Sequence, residues 1–457
     1  MDYTRKLAGF CAGVSFDDLP GEVVRKAKLC VLDYVANVYG SLELDAVQGV
    51  VSYFKGQATG GGASVLGCGF KTGPRDAAFV NGTTAEAIEA QDGVRFGGNH
   101  PVSAVMPAAL AVAEWLGLGG REVIEAIVAG YDAANRTAAA MHPFHTLSGF
   151  LPTGTCGAFG AAAAAAKLMG LGPQGMLDAF GNAGYLLPLS MAEDLMGGYT
   201  VKIVQGGQAA AVGLTAAGLA DSGITGHPQV LEGSDLGGGF TQITMRFGAE
   251  PVFDRIIDGL GERYTIMDVY FKPYTACRHT HGAAQATLEL ARESRLSPGE
   301  VESVNVRTYA IASIAVGKGV APGDTFVSAQ FSIPYVVAAC LLDGELGPAQ
   351  LTERRMADGA LLELAGRVAV EQDEELNGMY PDRTASRVEI RCKDGRVLSR
   401  QVDIPKGDPR DPMEEDDIAD KVRRFAGGRG KREVERTIML ALALDGLESI
   451  SEFTESV

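Results

Sequence analysis

Asp92, Arg95 and His100 fall within nine positions of one another in Q-D-G-V-R-F-G-G-N-H-P. An aspartate and an imidazole can each take or give a proton, and a guanidinium can hold an anion. A second group sits in F-K-P-Y-T-A-C-R-H-T-H, where Lys272, Cys277, Arg278, His279 and His281 crowd into ten positions. Lys202 is a third candidate, set between glycine pairs in G-G-Y-T-V-K-I-V-Q-G-G, where small neighbours let a lysine approach a ligand closely. Arg95, Lys202, Lys272 and Arg278 together would make a local cationic pocket, which suits a small polycarboxylate. The bland alternatives are an aspartate that ends a helix, a histidine that fills a bend and a solvated lysine.

Two other chemistries are weighed and set aside. Cys277, His279 and His281 have ligand-bearing side chains, and so do His142 and His145, but neither group has a second cluster to complete a zinc site. Gly154, Gly157 and Gly160 are three apart, but no strand precedes them and the order is not G-x-G-x-x-G, so close helix packing is expected there. The run from Gly427 to Lys431 resembles a P-loop fragment without the following Ser or Thr, and is read as a helix connection. His227 precedes Pro228 in a turn and carries no signal.

The elements that must position these residues are mostly helices. The stretch from Asn81 is expected to be helical up to Asp92-Gly93, with an irregular loop to Pro101 and a new helix near Ser103. Val23 to Tyr39 has helical spacing, and a loop or small hairpin around Ala63–Leu66 is expected before a helix containing Ala77 to Val80. Alanine-rich helices are expected over Ala108–Leu118, Ala158–Leu171 and Gln208–Asp221, where small side chains let axes approach. Val301–Ala310 and Ser386–Ile404 alternate in period two, the latter about a hairpin turn at Asp394-Gly395. Thr280–Arg295, Ile333–Leu342 and Pro348–Met356 read as helices between them, and Ile418–Phe425 and Glu433–Leu444 as helices after them. The expectation is a mainly α protein with an α+β lid: a helical domain over 1–265, the lid over 266–407, and 408–457 returning to the helical domain.

Composition narrows the partners. The 457 residues are 46% hydrophobic, enough for a large core, and the formal net charge of −17 repels nucleic acid and anionic lipid. The start lacks a secretory leader pattern and the apolar runs are short for a bilayer, so a soluble cytoplasmic protein is expected. Seven scattered cysteines without a C-x-x-C pair read as reduced thiols.

These residues carry a resemblance. A-F-V-N-G-T-T-A-E-A-I-E-A-Q-D, N-H-P-V-S-A-V-M-P, L-P-T-G-T-C-G-A-F-G, V-K-I-V-Q-G-G-Q-A-A, K-P-Y-T-A-C-R-H-T-H and A-Q-F-S-I-P-Y-V-V-A resemble the MmgE/PrpD family over nearly the whole length. That family includes 2-methylcitrate dehydratase, cis-aconitate decarboxylase and iminodisuccinate epimerase. The resemblance implies a homodimer acting on di- or tricarboxylates through a carbanion beside a carboxylate, with no metal or organic cofactor. It implies that Asp92 and His100 line the cleft, that Lys202 and Lys272 reach into it and that His281 serves catalysis; Arg95, Cys277, Arg278 and His279 stay candidate substrate contacts on their residue types alone. A hydro-lyase is the first expectation, then an epimerase or a decarboxylase, with a non-catalytic metabolite-binding dimer as the non-enzyme alternative. Cys277 is a further candidate acid or base, since a thiol beside Arg278 and His279 could be partly ionised, with His281 the stronger candidate by the family match. Leu151 stands where many relatives have histidine, and the lid motif lies closer to the epimerase branch.

Overall fold

The computed structural model describes residues 2–58, 60–246 and 248–457. Its body is built around two alanine- and glycine-rich helices, Pro152–Leu168 and Val204–Asp221, packed on each other and on Pro74–Glu86, Val102–Leu116, Gly120–Met141 and Pro173–Leu186. Side-chain-free surfaces are what allow this. A Cβ on Gly160 would lie 2.7 Å from the carbonyl oxygen of Gly130, and one on Gly207 would lie 2.1 Å from that of Phe79. The glycines of the G-x-x-G-x-x-G run are therefore contact points between helices. The helix Thr200–Asp221 is long and apolar enough to cross a membrane by composition, yet it is packed among body helices and 61% of its apolar window is buried.

Beside this body stands a four-stranded sheet. Its order is Val368–Gln372, Val301–Thr308, Ser386–Cys392 and Val397–Val402, the first pair parallel and the others antiparallel. Val301–Thr308 buries alternate residues, as its period-two sequence expects. Helix His281–Ser294 packs on the last two strands and on helix Ile333–Asp343. The C-terminal helices Glu415–Phe425 and Lys431–Leu442 return to pack on helix Gly21–Ser41 of the body. A large helical domain with a smaller α+β domain is thus the observed architecture.

Two boundaries differ from expectation in ways that matter. The helix before the central loop stops at Glu86 and not at Asp92, because Glu89 turns into the left-handed region at φ 54°. Pro348–Met356 is a 3₁₀ turn followed by one helical turn at Glu353–Met356. The long helix Gly120–Met141 and the parallel strand Val368–Gln372 are further elements that the sequence reading omits.

Body and lid meet through a short antiparallel pair, Gly93–Val94 with Val269–Tyr270, which puts Gly93 opposite Tyr270. A Cβ at Gly93 would fall 2.4 Å from the Tyr270 hydroxyl and 2.9 Å from His100 Nδ1. Only glycine lets the lid strand and the loop histidine close on the same point.

Candidate active site

The site forms where helix Pro74–Glu86 gives out. Glu86, at its last position, is completely buried, and Glu89 is 2% exposed with its backbone left-handed, a conformation that costs a non-glycine residue about 1 kcal/mol or more. That cost is met by partners that come from distant parts of the chain. Lys272, at the start of the lid, donates to Glu89 Oε1 at 2.7 Å and to the Glu89 carbonyl at 3.1 Å. Lys202, in the turn before helix Val204–Asp221, donates to Glu86 Oε1 at 2.8 Å and also bonds Glu89. Gln205 adds a bond to Glu86 Oε1 at 2.7 Å, while Glu86 Oε2 is buried without a partner among the described residues.

His100 completes the group. Its backbone N–H donates to Thr153 Oγ1 at 2.9 Å, and its Nδ1 bonds the carbonyl of Asp92. A carbonyl can only accept, so Nδ1 carries the ring proton and Nε2 keeps a lone pair. Nε2 lies 3.8 Å from Glu89 Oε1, and the imidazole, at 17% exposure against 0–2% for Glu89, Lys202 and Lys272, is the most exposed of the four.

Burial and charge then set the protonation states. Burial pushes the Glu89 carboxyl up, but Lys202, Lys272 and His100 overcome it and hold the group well below the usual carboxylate range. Burial works against charge on Lys202 too, and Glu86 and Glu89 more than reverse it, raising its pKa. His100 is lowered to about 4, first by burial and then by Lys272. At neutral pH Glu89 is therefore ionised, Lys202 is charged and the His100 imidazole is neutral.

The other expected residues lie elsewhere or do something else. The Asp92 carboxylate turns into the core, where it accepts from the Tyr131 hydroxyl at 2.7 Å and from the Val102 N–H at 3.2 Å, and burial raises it to about 7. What Asp92 presents to His100 is its backbone carbonyl. The guanidinium of Arg95 is exposed and binds the carbonyls of Pro381 and Asp382, tying the loop to the lid. Arg278 is buried over the Tyr270 ring and gives its donors to the carbonyls of Lys406, at 2.8 Å, and Pro405, at 2.6 Å. The four cations expected to line a pocket thus all have partners within the protein: Arg95 and Arg278 on carbonyls, Lys202 and Lys272 on carboxylates. Cys277 is not partly ionised, because burial pushes its thiol up to about 11. His279 bonds the Tyr309 hydroxyl and is lowered to about 4, chiefly by burial. His281 gives its Nε2 proton to the Ala276 carbonyl at 3.0 Å and stays neutral in a fully buried setting. His145, set aside as a metal ligand, is stacked on Phe150 in the core and bonds Thr155 and Thr244.

The sequence reading misses Glu86 and Glu89, the centre of the cluster. Their signal was two acids three apart in an otherwise apolar A-E-A-I-E-A run, with no basic residue one turn away to pair with them.

Of two cavities, only the smaller touches the cluster. One of about 200 Å³ reaches Lys202 and Gln205 past Leu151, Pro188, Leu189 and Met191, so Leu151 forms an apolar wall there. A larger one, of about 840 Å³, lies between Tyr39–Ala46, Val320–Phe326 and Gly347–Ala357. Its walls carry Glu43, Asp45, Asp324, Glu345 and Glu353 against Arg424, a field that repels a carboxylate substrate.

Comparison with known proteins agrees along the whole length. The MmgE/PrpD N-terminal domain matches residues 5–249 and the MmgE/PrpD C-terminal domain residues 274–445. A cis-aconitate decarboxylase of Aspergillus terreus is 29% identical over 99% of this chain and 95% of its own. The cis-aconitate decarboxylases of Mus musculus and Homo sapiens are 27% and 25% identical over 99% of this chain, and over 92% and 93% of theirs. With both domains matched in order, this chain belongs to the MmgE/PrpD family.

Proposed function

We propose that this protein is a lyase acting on a small di- or tricarboxylate, with charge passing through a carbanion beside a carboxylate. The observation that carries the reading is the convergence of Lys202, Lys272 and His100 on Glu89, from three separate parts of the chain. A bound carboxylate would take N–H donors from Lys202 and Lys272 in partial exchange for Glu86 and Glu89. Charge developing on its oxygens is then met by donors already in place.

Decarboxylation of a cis-aconitate-like unsaturated acid comes first, supported by relatives of that name that cover 99% of the chain. In that reaction the bond to one carboxylate breaks, its electron pair moves into the conjugated acid, carbon dioxide leaves and a proton is added at carbon. His100 Nε2 supplies the proton: a multiply charged anion beside it raises the imidazole, which then takes its proton from solvent. Epimerisation is the second reading, favoured by one feature. The buried thiol of Cys277 stays protonated and lies five positions after Lys272 on the same segment, a candidate acid to set beside the neutral base His100. Dehydration of a hydroxy acid, like epimerisation, would begin with removal of the proton beside a carboxylate by His100 Nε2, after which hydroxide leaves from the neighbouring carbon and the double bond forms.

A panel of polycarboxylates in deuterated water separates these. Decarboxylation releases carbon dioxide, dehydration creates the ultraviolet absorbance of a conjugated acid, and epimerisation brings deuterium into the substrate without either. A panel with no turnover or exchange would refute the proposal. The homodimer belongs to the same reading and is supported by exposed apolar side chains along one segment, Tyr185, Leu189, Met191, Met196, Tyr199 and Val201, which sedimentation of the free protein would test.

A further inference from the structure

A second buried ion pair lies behind the site, and the chemistry above makes no use of it. Lys421, on the C-terminal helix Glu415–Phe425, is completely buried, and its ammonium donates to Asp33 Oδ1 at 2.7 Å and to the carbonyl of Ala90 at 2.6 Å. Asp33, on helix Gly21–Ser41, is equally buried, and its other oxygen accepts from Asn37 at 3.2 Å. Taking two such charges out of water is costly, and an apolar pair of the same size often serves stability as well. A pair kept at that expense invites a reason beyond packing.

The reason is visible in the turn it touches. Four carbonyls along Ala87–Asp92 are gripped by side chains, three of them from more than 180 positions away in sequence. Gln330 holds Ala87 at 2.8 Å, Lys272 holds Glu89 at 3.1 Å, Lys421 holds Ala90 at 2.6 Å and His100 holds Asp92. Glu89, the residue with the strained backbone, sits in the middle. Those donors hold the backbone on either side of the left-handed residue, and Lys202 and Lys272 hold its carboxylate. Lys421 is the donor adjacent to Glu89 that makes no contact with the site itself.

We infer that Lys421 and Asp33 are a positioning pair for the site: Asp33 aims the Lys421 ammonium, and Lys421 fixes Glu89 through the Ala90 carbonyl. The inference rests on the functional reading above in one respect, that Glu89 organises the reacting groups. It makes the last helices of the chain part of the active site's support.

The test compares the wild-type protein with Asp33→Leu/Lys421→Met, which removes both charges and leaves no buried ion alone, and with Lys421→Arg, which keeps a donor. Turnover of the polycarboxylate accepted by the wild type is measured, together with the titration of His100 by NMR, its resonance identified with His100→Gln. The double variant should fold with kcat lowered by about 10- to 100-fold at nearly unchanged KM, and Lys421→Arg should lose less. The His100 midpoint should move by about half a pKa unit or more, since Glu89 is displaced from its Nε2. A folded double variant with wild-type kcat and an unmoved His100 overturns the inference, and so does a double variant that cannot fold, which would make the pair a folding element. A wild type that turns over no polycarboxylate refutes the functional reading alone, because the His100 titration still decides the positioning role.

Discussion

At the scale of residues, the site depends on which atom of each side chain is spent and which is left. His100 has Nδ1 committed to a carbonyl and Nε2 free, so His100→Gln should lower kcat by about 10²- to 10⁴-fold with little change in folding. Asp92→Asn should behave differently. The carbonyl that fixes His100 survives the change, so turnover should stay within about tenfold of wild type. Stability should shift instead: the folded carboxyl is raised to about 7 against about 4 unfolded, so its contribution is complete below pH 4 and lost as pH rises through 7. Asp92→Asn should therefore gain thermal stability over wild type at pH 8 and not at pH 4.5, as melting curves would record. Asp92 and His100 were legible in the sequence as neighbours on a loop, but which end of Asp92 faces the histidine was not, because that depends on Tyr131 and Val102. Glu89 was hidden for a related reason: its partners, Lys202 and Lys272, are 113 and 183 positions away.

At the scale of elements, the contact between the central loop and the lid strand carries the geometry. Gly93→Ala forces either Tyr270 or His100 aside, and kcat should fall about tenfold or more, while Gly97→Ala, which would mainly crowd Asn99 and Ala138, should not disturb the strand pair. Elements with strong local patterns were readable in advance. The alanine-rich helices, the Ser386–Val402 hairpin with Gly395 at φ 90° and the two C-terminal helices all appear where spacing and turn residues put them. Those that depend on distant partners were not. Val368–Gln372 exists by pairing in parallel with Val301–Thr308, and the early end of helix Pro74–Glu86 exists because donors from the lid hold Glu89 out of it.

At the scale of the whole molecule, histidines held neutral inside the fold make it sensitive to acid. His145, His100 and His279 are each lowered to about 4, chiefly by burial, against about 6.5 in an unfolded chain. A depressed histidine contributes stability that is complete above pH 6.5 and lost as pH falls towards 4, up to about 3 kcal/mol for a fully buried one. Asp92 and Asp132, raised by burial to about 7 and about 6, act in the opposite sense over the same range. The informative quantity is thus the difference between His145→Gln and wild type: melts between pH 7 and 4.5 should show a smaller loss of Tm for the variant. The overall plan of helical body and α+β lid was legible because it follows from runs of helical and alternating patterns. The charge balance of the site was not, since composition and spacing count cations without revealing that carboxylates and carbonyls already occupy them.

The central claim is that Glu89 gathers Lys202, Lys272 and His100 into one proton-transferring carboxylate site. Its most direct measurement is the incorporation of solvent deuterium during turnover of cis-aconitate and related acids by wild type and by His100→Gln at equal concentration. The account expects one deuterium on the carbon beside a carboxylate with the wild type, and a rate at least about 100-fold lower with the variant. Equal rates for the two proteins, or no incorporation with any acid, would contradict it.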